Sequence, residues 1–162
     1  MQGGKMIKTY LFDWGDTLMV DFPDQTGRMC DWTVVEAVDS ALETLKILSA
    51  EHSIYVATNA ADSSEIDIET AFARVGLNVY IDGYFCQANL GLGKGTPEYF
   101  RKIVACLEVD PSSIVMVGDT YENDIEPAIT AGIQAIWFNP LAKEHWKNKS
   151  VKQITHLSEL CT

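Results

Sequence analysis

The chain alternates short apolar runs with helix-patterned segments, and this alternation constrains its fold more than any other feature. The first run starts near Met6 and ends at Tyr10-Leu11-Phe12, directly before Asp13. Four more lie at residues 54–57, 84–86, 114–117 and 134–138. Unbroken runs of β-branched and aromatic residues suit strands covered on both faces. Between them, apolar residues recur at helical spacing. Asp31 followed by Val34, Val35, Val38, Ala41, Leu42, Leu45 and Leu48 predicts a capped helix running to about Ala50. Ser63-Ser64-Glu65 opens a second helix, continued by Ile66, Ile68, Ala71, Phe72 and Val75 to Gly76. Thr96-Pro97 opens a third over residues 98–107, and a short helix runs from Ile125 to Gly132. Residues 79–81 are a second, less favoured strand candidate beside 84–86, and the tail to Thr162 should hold one more short strand or helix. Strand–helix alternation of this kind predicts an α/β domain, a parallel sheet with helices on both faces and right-handed crossovers.

At 162 residues the chain is expected to form one domain. Its net charge of −11, with only 12 Lys and Arg, argues against nucleic acid and against anionic membrane surfaces. The same acidity suits divalent cations, or simply a solvated acidic surface. No apolar run reaches membrane-span length, and the N-terminus lacks the apolar core of a signal peptide. The first residues, 1–5, read as a loose leader. Cys30, Cys86, Cys106 and Cys161 are scattered with no metal-ligand spacing, and Cys86 and Cys106 are expected to be small buried hydrophobes. Together these features fit a reducing, cytoplasmic setting.

The polar residues of chemical interest fall at the ends of the apolar runs or just beyond them. Asp13 ends the first run, Thr58 the second and Asp119 the fourth, and Lys94 precedes the helix leading to that fourth run. In a parallel sheet these tips share one edge, where α/β proteins place their ligands. Taken singly, each reads equally well as a turn or cap residue; their joint occurrence in this order is the signal. The set fits phosphoryl transfer. Carboxylates at Asp13, Asp119 and Asp124 suit a hard cation, most simply Mg²⁺. Thr58 can donate to a phosphoryl oxygen, Lys94 can neutralise developing charge, and Asp13 is placed to attack phosphorus.

These residues resemble the haloacid dehalogenase superfamily of hydrolases over nearly the whole chain. The first motif there is an apolar strand followed by Asp-x-Asp-x-Thr, here Asp13-Trp14-Gly15-Asp16-Thr17. The second is a strand ending in Ser or Thr, here Thr58-Asn59; the third is a lysine, here Lys94-Gly95-Thr96-Pro97. The fourth, the most specific, is Gly-Asp-x-x-x-x-Asp, here Gly118-Asp119 to Asp124. The resemblance implies a three-layer Rossmann-like sheet of order 3-2-1-4-5 with no large cap domain. It further implies Mg²⁺ as cofactor and Asp13 as the nucleophile of a phosphatase that works through an aspartyl-phosphate. Thr58, Asn59 and Lys94 would bind the phosphate. Asp13, the backbone carbonyl of Gly15 and Asp119 would hold the metal, supported by Asp124.

The chain departs from the family at Gly15, where phosphatases usually carry the aspartate that serves as general acid and base. Asp16 stands one place later and is the candidate substitute, should the loop be shifted. General acid–base help is worth about 10²–10⁴-fold, so without it poor leaving groups should react slowly. A small residue here, with Trp14 beside it, is also similar to phosphonoacetaldehyde hydrolases, which use a cap-domain lysine. The insert between Leu18 and Ser53 is short for such a cap, and its lone lysine is Lys46. A dehalogenase fits poorly with Asp119 and Asp124. The stretch from Thr58 to Lys94 has room only for an ordinary crossover, so the site is expected to be open, with residues 18–31 as a flap-like loop over it. Trp14, Phe22, Pro23 and Trp32 would form its rim or belong to the core. An open site suits a phosphorylated small molecule or macromolecule, or closure by a partner subunit in a homodimer. The competing reading is a catalytically weak binding or regulatory protein, favoured by Gly15; intact Asp13, Lys94 and Asp119 favour the enzyme.

Overall fold

The computed structural model describes residues 6–142 and 150–161; residues 1–5, read above as a leader, lie outside that range, as does Thr162. Six strands form one sheet: β1 (Thr9–Phe12), β2 (Ser53–Ala57), β3 (Gly83–Phe85), β4 (Ile114–Gly118), β5 (Gln134–Phe138) and β6 (Lys152–Ile154). Their order is β3-β2-β1-β4-β5-β6, and every neighbouring pair is parallel. The expected order is therefore present, extended by a sixth strand from the tail.

Burial on both faces explains the unbroken apolar runs. Successive side chains of a strand point to opposite faces. Tyr10 and Phe12 join Ile54, Val56, Val115 and Val117 on one side, while Leu11, Ala57, Ile114 and Met116 face the other. On the first side lie α1 (Ala41–Leu48) and α2 (Glu65–Ala73), through Leu45, Leu48, Ile68, Ala71 and Phe72. The one-turn α3 (Gln87–Leu90), which had no sequence signal, follows β3. On the second side lie α4 (Pro97–Leu107) and α5 (Glu126–Thr130), through Tyr99, Phe100, Ile103 and Ala128. Ser64 caps α2 with a reciprocal capping box to Asp67, as Ser63-Ser64-Glu65 suggests.

The predicted helix over residues 31–50 is half right. Only Ala41–Leu48 is helical, and Met29–Asp31 is a single 3₁₀ turn. Residues 33–38 are not helical. Val20 N–H donates to Glu36 O at 2.9 Å and Val38 N–H to Leu18 O at 2.8 Å, with Met19 and Ala37 bridged antiparallel. The run Thr33-Val34-Val35 is β-branched, which costs side-chain freedom in a helix, and residues 36–38, just beyond it, pair with 18–20 instead. Val34, one of the residues that suggested helical spacing, is 51% exposed. Residues 78–80 form a 3₁₀ turn, so only the favoured candidate of the two strands exists. Cys86 is buried as expected, whereas Cys106 lies on the exposed side of α4. None of the described helices is long and apolar enough to cross a membrane.

Candidate active site

Register brings the polar tips together. Phe12 pairs with Val56 on one side and Val117 on the other, so Asp13 is level with Ala57 and Gly118, and Thr58 and Asp119 come one residue later. A cavity of about 440 Å³ opens over these tips. Its walls include Asp13, Gly15, Asp16, Thr58, Asn59, Lys94, Asp119 and Asp124, every catalytic, phosphate-binding or metal-holding candidate singled out from the sequence. Residues of the 18–31 loop also line it, among them Asp21, Gly27 and Met29, as do the buried Trp14 and Trp32. Phe22 packs partly buried against the core instead, and Pro23 is exposed and off the cavity wall.

Lys94 is the hub. Its side chain is 4% exposed, and Nζ contacts Asp13 Oδ1, Asp124 Oδ1 at 2.8 Å and the Ala57 carbonyl at 3.1 Å. The loop that carries it is fixed by Asn59, whose Oδ1 accepts from Lys94 N–H at 2.8 Å. Gly95 has φ +111°, a conformation open to glycine, and lies beside Asn123. Burial works against the Lys94 ammonium, but Asp13 and Asp124 outweigh it and the pKa is raised. Burial likewise opposes ionisation of Asp13; Lys94, with hydrogen bonding from Asp119 and the Trp14 backbone, overcomes it and holds that carboxyl below its ordinary value.

The second pair of acids is held by the fourth strand's exit. Thr120 N–H donates to Asp124 Oδ2 at 3.0 Å. A Cβ on Gly118 would lie 2.5 Å from Asp124 Cβ and 2.3 Å from Oδ2. Glycine at that position is what lets Asp124, 1% exposed, fold back under the strand tip. Trp137 Nε1 donates to the Asp119 carbonyl at 3.0 Å. Burial and the neighbouring Asp13 push Asp119 up to about 8 and Asp124 to about 6. One carboxylate oxygen from each of Asp13, Asp119 and Asp124 lies within 4.8 Å of the others. Three crowded hard-oxygen donors, two of them resisting ionisation, match what a small divalent cation binds and neutralises.

Thr58 ends β2. Its Oγ1 accepts from Ala60 N–H at 3.1 Å, which leaves the hydroxyl proton available to a ligand oxygen. The Tyr99 hydroxyl pins this edge, 3.0 Å from Thr58 O and 3.1 Å from Phe85 O. Asp16 has φ 60° and is exposed, and its Oδ1 accepts from Asp21 N–H at 3.0 Å. One oxygen of that carboxylate thus anchors the backbone of the adjoining loop.

Two residues gain roles that sequence reasoning had not given them. Thr17 Oγ1 lies 3.1 Å from Asp13 Oδ2 and 3.4 Å from Asp119 Oδ1, bridging the two acids. Its place in Asp13-Trp14-Gly15-Asp16-Thr17 was the available signal. Asp21 carried none. It faces the cavity beside Gly15, and burial, then the charges of Asp16 and Asp13, raises its pKa.

Comparison with known proteins bears on the fold and the family. Among curated proteins, the chain is 31% identical over 104 residues to a ribulose-1,5-bisphosphate 5-phosphatase of Halopiger xanaduensis, covering 64% of this chain and 42% of that one. It is 28% identical over 112 residues to the pyrimidine 5'-nucleotidase PynA of Streptococcus pneumoniae, covering 68% and 44%. The chain spans under half the length of the curated relatives it matches. Its fold superposes on YfnB of Bacillus subtilis, a HAD-hydrolase solved bound to magnesium, with TM-score 0.77 and 16% identity over 96% of this chain and 97% of that one. The family model for haloacid dehalogenase-like hydrolases matches residues 27–132, from the loop beyond Asp13 through the Thr58, Lys94 and Asp119 tips. A match over well more than half the chain decides the family: the protein belongs to the haloacid dehalogenase-like hydrolases.

Proposed function

We propose that the chain hydrolyses phosphate monoesters with the help of Mg²⁺, through an aspartyl-phosphate formed on Asp13. The observation that carries this reading is the buried Asp13 carboxylate, kept ionised by Lys94 at the floor of an open cavity. An anionic nucleophile there must meet an anionic phosphate. Asp13 and Asp119 would hold the cation, with Asp124 behind them; when bound, it supplies the charge that offsets this repulsion. Thr58 donates to a phosphoryl oxygen, and Lys94 orients Asp13 and balances charge as the phosphoryl group transfers. Relatives that act as a 5'-nucleotidase and as a sugar-bisphosphate phosphatase support a phosphate monoester as substrate.

Gly15 favours one other reading, a protein that binds phosphorylated ligands and turns them over poorly. The two separate in one assay. Purified protein is tested on a panel of phosphate esters with Mg²⁺ and with chelator, beside Asp13→Asn. Mg²⁺-dependent release of phosphate that disappears in Asp13→Asn is the expected result. Release unchanged in Asp13→Asn rejects the enzyme reading, and binding without release favours the alternative.

A further inference from the structure

Breaking an alkyl phosphate ester requires a proton for the departing oxygen, and the water that follows must lose one. Glycine at position 15 offers neither. The space beside it is nevertheless filled by a carboxylate from elsewhere in the chain. A Cβ built on Gly15 would lie 3.5 Å from Asp21 Cβ and 3.6 Å from Asp21 Oδ2, and both residues face the cavity over Asp13.

The other acids on the cavity wall are engaged. Asp124 meets Lys94 and Thr120 N–H, and Asp119 clusters with Asp13 and Thr17. Asp16 Oδ1 holds the Asp21 backbone, and Asp62 Oδ1 accepts from Ser63 Oγ at 3.3 Å. Among the described residues, the Asp21 side chain has no hydrogen-bond or ion-pair partner. It is presented by the 18–31 loop, whose stem is fixed by the pairing of residues 18–20 with 36–38.

We propose that Asp21 is the general acid–base of this site, a catalytic residue brought in from the loop to the place Gly15 leaves open. This rests on the phosphohydrolase reading above. Asp13 attacks phosphorus, the bond from phosphorus to the ester oxygen breaks, and Asp21 gives its proton to that oxygen, releasing a neutral alcohol. Water then attacks the aspartyl-phosphate. Asp21, now a carboxylate, takes the water's proton as the bond from phosphorus to Asp13 breaks. Hydrogen phosphate leaves, Asp13 is again a carboxylate and Asp21 again an acid.

The test is Asp21→Asn, isosteric and at an exposed position, on two esters followed through the first turnover. With glycerol 3-phosphate, alcohol release should fall about 10²–10⁴-fold, the usual worth of such a group. With p-nitrophenyl phosphate, whose leaving group needs no proton, the first release should hardly change. Phosphoprotein labelled on Asp13 should accumulate, because water attack has lost its base. Equal loss on both esters, or loss on neither, overturns the role of Asp21. Release that survives Asp13→Asn, or an absence of Mg²⁺-dependent turnover of either ester in the unaltered protein, overturns the phosphohydrolase reading itself and the inference with it.

Discussion

Lys94→Met tests the electrostatic design of the site through stability rather than activity. Methionine keeps most of the lysine stem, so the packing change is small. What disappears is the ammonium that contacts Asp13 and Asp124. Breaking a buried ion pair from one side typically costs about 3–5 kcal/mol. The stranded carboxylates have one escape, which is to bind a proton. Protonating one aspartate with an ordinary pKa near 3.9 costs about 4 kcal/mol at pH 7 and about 1.5 kcal/mol at pH 5. That sets a ceiling for each acid and gives the penalty a pH dependence. A folded-state carboxyl raised above its unfolded value holds a proton the unfolded chain has lost, so stability falls as pH rises. Denaturant unfolding without metal, at pH 7 and pH 5, reads both terms from the midpoint if the slope is unchanged. The expected loss is about 3–4 kcal/mol at pH 7 and less than half that at pH 5. A loss under about 1 kcal/mol at pH 7, the size of an exposed pair, would refute the reasoning, and so would equal losses at the two pH values.

Two further outcomes follow from the same cluster. Asp119 and Asp124 sit at about 8 and about 6 in the folded chain. Without metal, stability should therefore fall as pH rises from about 4 to 8, while Mg²⁺, which favours the ionised acids, should raise the melting temperature more at pH 8 than at pH 5. Differential scanning calorimetry at both pH values checks this, and a pH-independent Mg²⁺ shift contradicts it. Gly118→Ala drives a methyl group into the Asp124 side chain, which Thr120 N–H and Lys94 hold in place. Overpacking of this kind costs about 1–3 kcal/mol, so urea unfolding should show a loss of that size together with reduced phosphate release; an unchanged midpoint would mean that Asp124 is free to move aside.

Where the sequence was legible, one physical pattern was acting at a time. Strands covered on both faces must be apolar throughout, so the five runs showed themselves, and a parallel sheet sends their C-terminal ends to one edge. That is why Asp13, Thr58, Lys94, Asp119 and Asp124 group together in the sequence alone. The sixth strand, Lys-Gln-Ile, is three residues at the sheet edge with one buried side chain, too short to carry a pattern. The stretch 31–50 failed for the opposite reason, because two patterns overlapped. Val34, Val35 and Val38 fit the spacing of the helix that truly starts at Ala41, but they precede it, and residues 36–38 belong to backbone that pairs with residues 18–20. That mistake hid a consequence for the chemistry. A helix from Asp31 would leave the preceding loop with one anchored end. Pairing of 36–38 with 18–20 closes it at both ends and sets Asp21, the first residue past the pair, beside Gly15. The absent acid and its neighbour are six positions apart in sequence, and only the loop's closure, which no local pattern encodes, relates them. Gly15 thus reads as a deficit when position 15 is taken alone. In the folded chain it is a vacancy with a carboxylate against it, and the loop, rather than the first motif, becomes the part of the molecule on which acid–base chemistry turns.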